Sequence, residues 1–426
     1  MYQQLTRHFK VGPFVGRGFR STNGILQGCP LSVLLLNMFV ATWMAAVEAE
    51  VPGARARAYA DDTGALASEL EQVFGVIDLS EEYASISGME LHARKSYTWA
   101  TSKDWRRVLQ ERGKIRGQAI PLAHAERTLG AHVSFTRRRA ATTLSKKLEW
   151  CKVICERIEA TRLPMQVRGT LLGSIVLPKA VYGAGAATPN KRHMRRLRAC
   201  VGRALWGQGN KWRSSEILFT LLAKGHVVDP QQCWAYHCLG TLRRVLSRQA
   251  DLWPIWEKIL HLHAQEEVVN APGPGKAFFD AMKLCGAHMS GTEVLAFATP
   301  TGHKEVRWLT ADTGSFQHDL RDAMRFEQWQ RLCRRREGFS GLEHGVDRKA
   351  TACLQGRLRG LDAYRLRTIQ AGGVGTLERL ERHNRIESNL CPGCGQATGR
   401  VRHVFVDCPR CAPRRYLEVF FSTRLL

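Results

Sequence analysis

Apolar residues crowd together near the start of the chain, in "LSVLLLNMFVATWMAAV" at 31–47, where Ser32, Asn37 and Thr42 interrupt the run and Glu48 ends it. The run falls short of the ~20 residues a membrane helix needs. It predicts a buried helix of a soluble domain, with a membrane span as the minor alternative, opening at Pro30, whose missing N–H needs no partner in a first turn. The pattern then changes period: "ARARAYA" alternates, two aspartates follow, and "TGALA" comes next, which predicts strand, tight turn, strand. Leu70, Val73 and Ile77 return at helical spacing and stop at Gly88. A further stripe of Leu144, Leu148, Cys151 and Cys155 predicts a helix over 141–160. In "TPNKRHMRRLRACVGRALWG", Met194, Leu197, Val201 and Leu205 repeat every three or four residues, while Arg192, Arg195, Arg196 and Arg203 fall largely elsewhere. This predicts a helix with an apolar seam and a cationic face. The Gly-punctuated start, "VGPFVGRGFRSTNG", suggests a strand pair or loop, and "NAPGPG" at 270–275 is the best linker candidate.

Charge changes the picture more than length does. The 426 residues suggest two or three domains. Lys plus Arg is 63 against 38 for Asp plus Glu, a net of +25. Such an excess repels itself unless a polyanion is near. Nucleic acid is the first partner this points to, with an anionic membrane surface second. Thirteen cysteines, an odd number, and an N-terminus "MYQQLTRHFK" without a signal-type apolar core point to a reducing compartment. The expected location is intracellular, in nucleus or cytoplasm, and not secreted.

The aspartates of "RAYADDTGAL" are the first candidate site. Adjacent carboxylates repel, and a dication shared with a triphosphate reverses the sign. Nucleotide polymerisation uses two such metals, and Mg²⁺ needs only one or two carboxylates beside substrate phosphates. By themselves the four residues Asp-Asp-Thr-Gly also read as an ordinary polar turn.

The flanking motifs add a resemblance. Gly24, Gln27, Gly28, Pro30, Leu31 and Ser32, followed by Tyr59, Ala60, Asp61 and Asp62, resemble the Gln-Gly and Ala/Tyr-x-Asp-Asp motifs of non-LTR (LINE-type) retrotransposon reverse transcriptases. In the same order follow Gly88 and Lys95 in "SGMELHARKS", Leu129-Gly130 in "RTLGAHVSF", which resembles the primer-grip hairpin, and "LLGSIVLPKAVYGAG" at 171–185, which looks like the thumb segment. The resemblance covers about the first half of the chain. It implies an RNA-directed DNA polymerase acting on an RNA template, a DNA primer and dNTPs, with Mg²⁺ or Mn²⁺ at Asp61 and Asp62 and no membrane role. It places Gln27, Gly28 and Tyr59 at template and primer. Lys95 would stand near the leaving phosphates as point charge or proton donor, its plain alternative being a solvated strand lysine. The family has a third catalytic carboxylate upstream of Gln-Gly. Here the 26 residues before Gln27 hold no Asp or Glu. The expectation is therefore the C-terminal part of a polyprotein, weak or inactive as a polymerase, or else a non-catalytic nucleic-acid-binding protein.

The second candidate site is "CPGCGQATGRVRHVFVDCP". Cys391, Cys394, His403 and Cys408 supply three thiolates and an imidazole, a set that suits tetrahedral Zn²⁺ in a closed structural site. Cys411 is an alternative to Cys408. Arg400, Arg402, Arg410, Arg414 and Arg415 surround the motif and suit phosphate. The segment also resembles the Cys-Cys-His-Cys knuckle near the C-terminus of the same polyproteins. The expected fold class is α+β. Residues 1–135 are read as the C-terminal half of the palm, an antiparallel sheet with helices, and 136–215 as a helical thumb. Residues 216–385 are read as a basic, mainly helical region without assigned role, and 386–426 as the zinc knuckle and tail.

Overall fold

The computed structural model describes residues 6–20, 29–136, 142–207, 214–223, 225–264, 273–336, 339, 341–371, 376–400 and 403–410. The fold is α+β, helices accompanied by small antiparallel sheets. It divides into two compact units, Met1–His124 and Ala125–Leu426.

In the first unit the apolar run forms helix Pro30–Glu50, with proline in its first turn. Trp43 and Val47 are buried with Val51, Ala54 and Ala56 against Val76, Leu79 and Tyr83 of helix Leu70–Ile86. Two polar ties fix the helix pair: Trp43 Nε1–H donates to Ser80 Oγ at 3.0 Å, and the Tyr83 hydroxyl donates to the Phe39 carbonyl at 2.7 Å. The second helix opens with a capping box at Glu69, where Gln72 Oε1 accepts the Ser68 and Glu69 N–H groups. It gives way at Gly88, at φ +66°. The sequence predicts a buried first helix, and the structure corrects this: Val33 and Met38 are more than 60% exposed. The apolar residues there surround the helix instead of forming a stripe, so one contact face cannot cover them.

The second unit is built on one large core, with a smaller cluster of Ile217, Trp329 and Leu332 apart from it. Helix Thr142–Ala160 buries Leu148, Cys151 and Cys155 against Leu197, Cys200, Val201 and Leu205 of helix Lys191–Trp206. Helix Pro230–Arg248 adds Trp234, Cys238 and Leu239. Burial pushes the Cys155, Cys233 and Cys238 thiols up to about 12, so these cysteines act as small apolar residues. A three-stranded antiparallel meander, Ala287–Met289, Val294–Thr299 and Gly302–Arg307, lies within the region expected to be mainly helical. Arg243 is buried and donates to the carbonyls of Trp308 and Ala311 and, at 3.0 Å, to Thr313 Oγ1. It thereby ties helix Pro230–Arg248 to the end of the meander.

The linker expectation at 270–275 is also corrected. Residues 270–272 lie outside the described residues, while Gly273 and Pro274 open helix Pro274–Cys285. Trp256 before the stretch and Phe278 after it pack edge-to-face at 4.8 Å. The segment joins two helices of one core.

A buried polar tie in this unit joins Arg198 and Asp229. Asp229 is 1% exposed. It accepts Arg198 Nε at 3.0 Å and Nη2 at 2.8 Å, and caps helix Pro230–Arg248 by accepting Gln231 N–H at 3.1 Å. The guanidinium also stands 5.1 Å over the Phe219 ring. Burial pushes the Asp229 carboxyl upward, and Arg198 and the Gln231 amide pull against it. The fork-on contact is that of a carboxylate. Replacing Asp229 with Ala strands a guanidinium with no acceptor, and a loss of about 3–5 kcal/mol is expected in urea unfolding. A loss under about 1 kcal/mol, the level of an exposed pair, would refute the tie.

Candidate functional site

Strands Arg55–Tyr59 and Asp62–Leu66 pair in register Tyr59↔Asp62, Arg57↔Gly64 and Arg55↔Leu66. Only Ala60 and Asp61 remain for the turn. Ala60 has φ +54° and Asp61 is not in the positive-φ region, the signature of a II′ hairpin turn, which favours glycine at this place. A non-glycine residue held there costs roughly 1–2 kcal/mol, and such strain gathers at functional sites. Alternation does the rest. Ala56 is buried against the two helices, so the opposite face, with Arg55, Arg57, Tyr59 and Asp62, is open. Tyr59 is 67% exposed, and both aspartates are exposed. The structure therefore brings Tyr59, Asp61 and Asp62 together at one apex.

The other expected polymerase residues are placed differently. Gln27, Gly28 and Gly24 lie outside the described residues. Lys95 ends a 3₁₀ turn, Ala93–Lys95, not a strand; it is exposed and makes no hydrogen bond or ion pair with either aspartate. Among the described residues no third carboxylate groups with Asp61 and Asp62.

Two motifs from the sequence do meet in the second unit. Hairpin Ala125–Thr128/Ala131–Ser134 turns on Leu129 and Gly130, at φ +49° and +78°, a I′ turn. The Tyr182 hydroxyl donates to the Leu129 carbonyl at 2.9 Å. A Cβ on Gly130 would stand 3.0 Å from the Tyr182 ring, and one on Gly183 would stand 2.9 Å from the Ala131 Cβ. Lys147 Nζ donates to the carbonyls of Gly130 and Tyr182, at 3.3 and 3.0 Å. Desolvation, then Arg127, lowers the Lys147 pKa. The two glycines explain the close approach. Lys147 carries no sequence signal, since its role depends on a pairing 35 residues away.

Helix Lys191–Trp206 has the expected two faces. Leu197, Val201 and Leu205 are buried, while Lys191, Arg192, Arg195, Arg196 and Arg203 are exposed. None of these five cations meets a carboxylate among the described residues. Asn190 caps the helix by accepting Arg192 N–H at 2.8 Å. From Arg192 to Arg203 the row is about 16 Å long, close to five phosphate steps along one strand.

The metal centre closes around four side chains. The ligand atoms of Cys391, Cys394, His403 and Cys408 lie within 4.8 Å of one another. Cys391 Sγ stands 3.6 Å from Cys408 Sγ, and Cys394 Sγ 3.2 Å from His403 Nε2. A disulfide would be about 2.05 Å. Tetrahedral sites with Zn–S of about 2.3 Å have edges of about 3.5–3.8 Å. The cluster can thus hold a metal such as zinc. Cys391 N–H donates to the Ala397 carbonyl and Gly395 N–H to the Cys391 carbonyl, both at 2.7 Å, with Gly395 at φ +66°. The amides of Gln396 and Ala397 hold the Cys394 thiol below its ordinary range, with His403 assisting. His403–Asp407 forms a π-helical turn that delivers Cys408, whose N–H donates to the His403 carbonyl. Arg400 pairs with Glu378 at 3.4 Å, and Arg410 is exposed. Cys411, Arg402, Arg414 and Arg415 lie outside the described residues.

No family model matches this sequence, and no curated protein matches it. The chemistry therefore rests on these geometries.

With Cys408 as ligand, the purified chain should bind one Zn²⁺, released to a colorimetric chelator. Cys408→Ser should lose it and Cys411→Ser keep it; the reverse outcome would exchange the ligands. Because thiolates and neutral imidazole bind metal, protons compete. Zinc affinity should fall as pH falls.

Proposed function

We propose that this chain is a nucleic-acid-binding protein of the non-LTR reverse transcriptase type, with the 55–66 hairpin as its polymerase element. The observation that carries the reading is the apex itself: a strained two-residue turn that presents Tyr59, Asp61 and Asp62 together on an open face. The Gln-Gly motif before helix Pro30–Glu50 and the docking of Leu129-Gly130 on Tyr182 support it, since both follow the order of motifs in that family.

Asp61 and Asp62 supply hard oxygen donors in a donor set that fits Mg²⁺ or Mn²⁺, with the remaining positions left to phosphate and water. When bound, the metal neutralises charge at the attacking primer hydroxyl and the leaving pyrophosphate of a dNTP. Tyr59, opposite Asp62 in the ladder, offers a ring beside the primer end. The row from Arg192 to Arg203 grips the backbone of template or primer without reading sequence. The metal centre at Cys391, Cys394, His403 and Cys408 braces the basic C-terminal segment as a zinc site.

A second reading is non-catalytic: template and primer are held but not extended. It is favoured by the missing third carboxylate among the described residues. Primer extension on an RNA template should accordingly give no product with Mg²⁺ or Mn²⁺. Synthesis that disappears in Asp61→Ala would restore full polymerase activity to the reading.

Binding itself is tested by salt. Affinity for an RNA–DNA hybrid should fall steeply with ionic strength, and each of Arg192→Ala, Arg196→Ala and Arg203→Ala should lower the logarithmic slope by about 0.7–0.9. A flat salt response would remove nucleic acid as the partner.

A further inference from the structure

The second unit contains a cleft of about 1210 Å³. One wall is a stripe of helix Thr313–Arg335 that includes His318, Arg321, Asp322 and Arg325. The facing wall runs from Met165 to Ser174, and the floor is apolar, with Leu222 and Val228. Two π-helical turns, Leu172–Val176 and Leu218–Leu222, both contribute lining residues. Such turns make up well under about 1% of residues and recur at functional sites. Two on one cleft therefore mark it independently of its size.

The charge of the wall is unbalanced. Asp322 accepts Arg325 at 2.8 Å and pairs with His318 at 3.3 Å. Arg321 meets no carboxylate among the described residues. One guanidinium is left uncompensated beside an apolar floor. The volume exceeds the roughly 300–1,000 Å³ of a small-molecule pocket, and suits a segment of a longer polymer.

We infer that this cleft holds unpaired nucleotides of a single-stranded nucleic acid, base faces on the apolar floor and phosphates on Arg321 and Arg325. The inference rests on the nucleic-acid reading above and adds a strand preference to it. Aromatic side chains are sequence-tolerant platforms for base faces, and guanidiniums track the backbone; Trp329 supplies such a ring among the cleft's lining residues. A duplex keeps its bases stacked inside and offers none to the floor.

The test compares fluorescein-labelled oligo-dT with a labelled duplex of equal length, by anisotropy on the full chain. Arg321→Ala removes the uncompensated charge without stranding a partner. Ser174→Trp fills the cleft from an exposed position, leaving the core intact, which an unchanged unfolding midpoint verifies. Both should weaken oligo-dT binding about tenfold and duplex binding less than about twofold. Arg196→Ala, outside the cleft, should weaken both ligands alike. If Ser174→Trp leaves oligo-dT affinity unchanged while wild-type binding persists, the cleft assignment falls and the nucleic-acid reading stands. If Ser174→Trp acts and Arg321→Ala does not, the occupant is uncharged and the inference is overturned. If wild type binds neither ligand, the broader reading fails, and this one with it.

Discussion

Arg198 and Asp229 hold the helical unit in shape. A carboxylate this deeply buried needs a charged, forked partner and a further N–H donor, and Asp229 has both in Arg198 and Gln231. The same guanidinium lies over Phe219, inside the π-helical turn Leu218–Leu222. One ion pair therefore sets helix Lys191–Trp206, the start of helix Pro230–Arg248 and part of the cleft lining in fixed relation. The exposed arginine row lies on the other face of the first of these helices. Its aim is fixed by the pair buried beneath it.

The hairpin of the first unit obeys a simpler constraint, the two-residue alternation of a strand. Once Ala56 is committed to the core, Arg55, Arg57, Tyr59 and Asp62 must share the open face. The tight turn then leaves no room to hide Asp61. Two carboxylates and a phenol thus stand exposed at the apex, beside Ala60 at φ +54°.

Charge governs the remainder. An excess of +25 destabilises a compact chain through self-repulsion. In the basic C-terminal segment the Cys₃His cluster gathers four ligands that could hold a metal such as zinc. Glu378 answers Arg400 locally, while the exposed Arg192–Arg203 row meets no carboxylate among the described residues.

The sequence by itself determined what depends on short spacing. The hairpin at 55–66, the two-faced helix at 191–206 and the Cys391, Cys394, His403 and Cys408 set were legible because turn chemistry, helical period and ligand intervals act within a few residues of each other. The meander at 287–307 was legible in principle, in the alternation of "HKEVRW" after the "TPTG" turn, but the neighbouring helical pattern hid it. Tertiary structure alone decided the pairing of Tyr182 with Leu129, 53 residues apart, and of Arg198 with Asp229, 31 apart. It alone left the first half of helix Pro30–Glu50 exposed and set two π-helical turns on one cleft. Such contacts depend on the path the chain takes between the partners, and no local pattern of residues encodes that path.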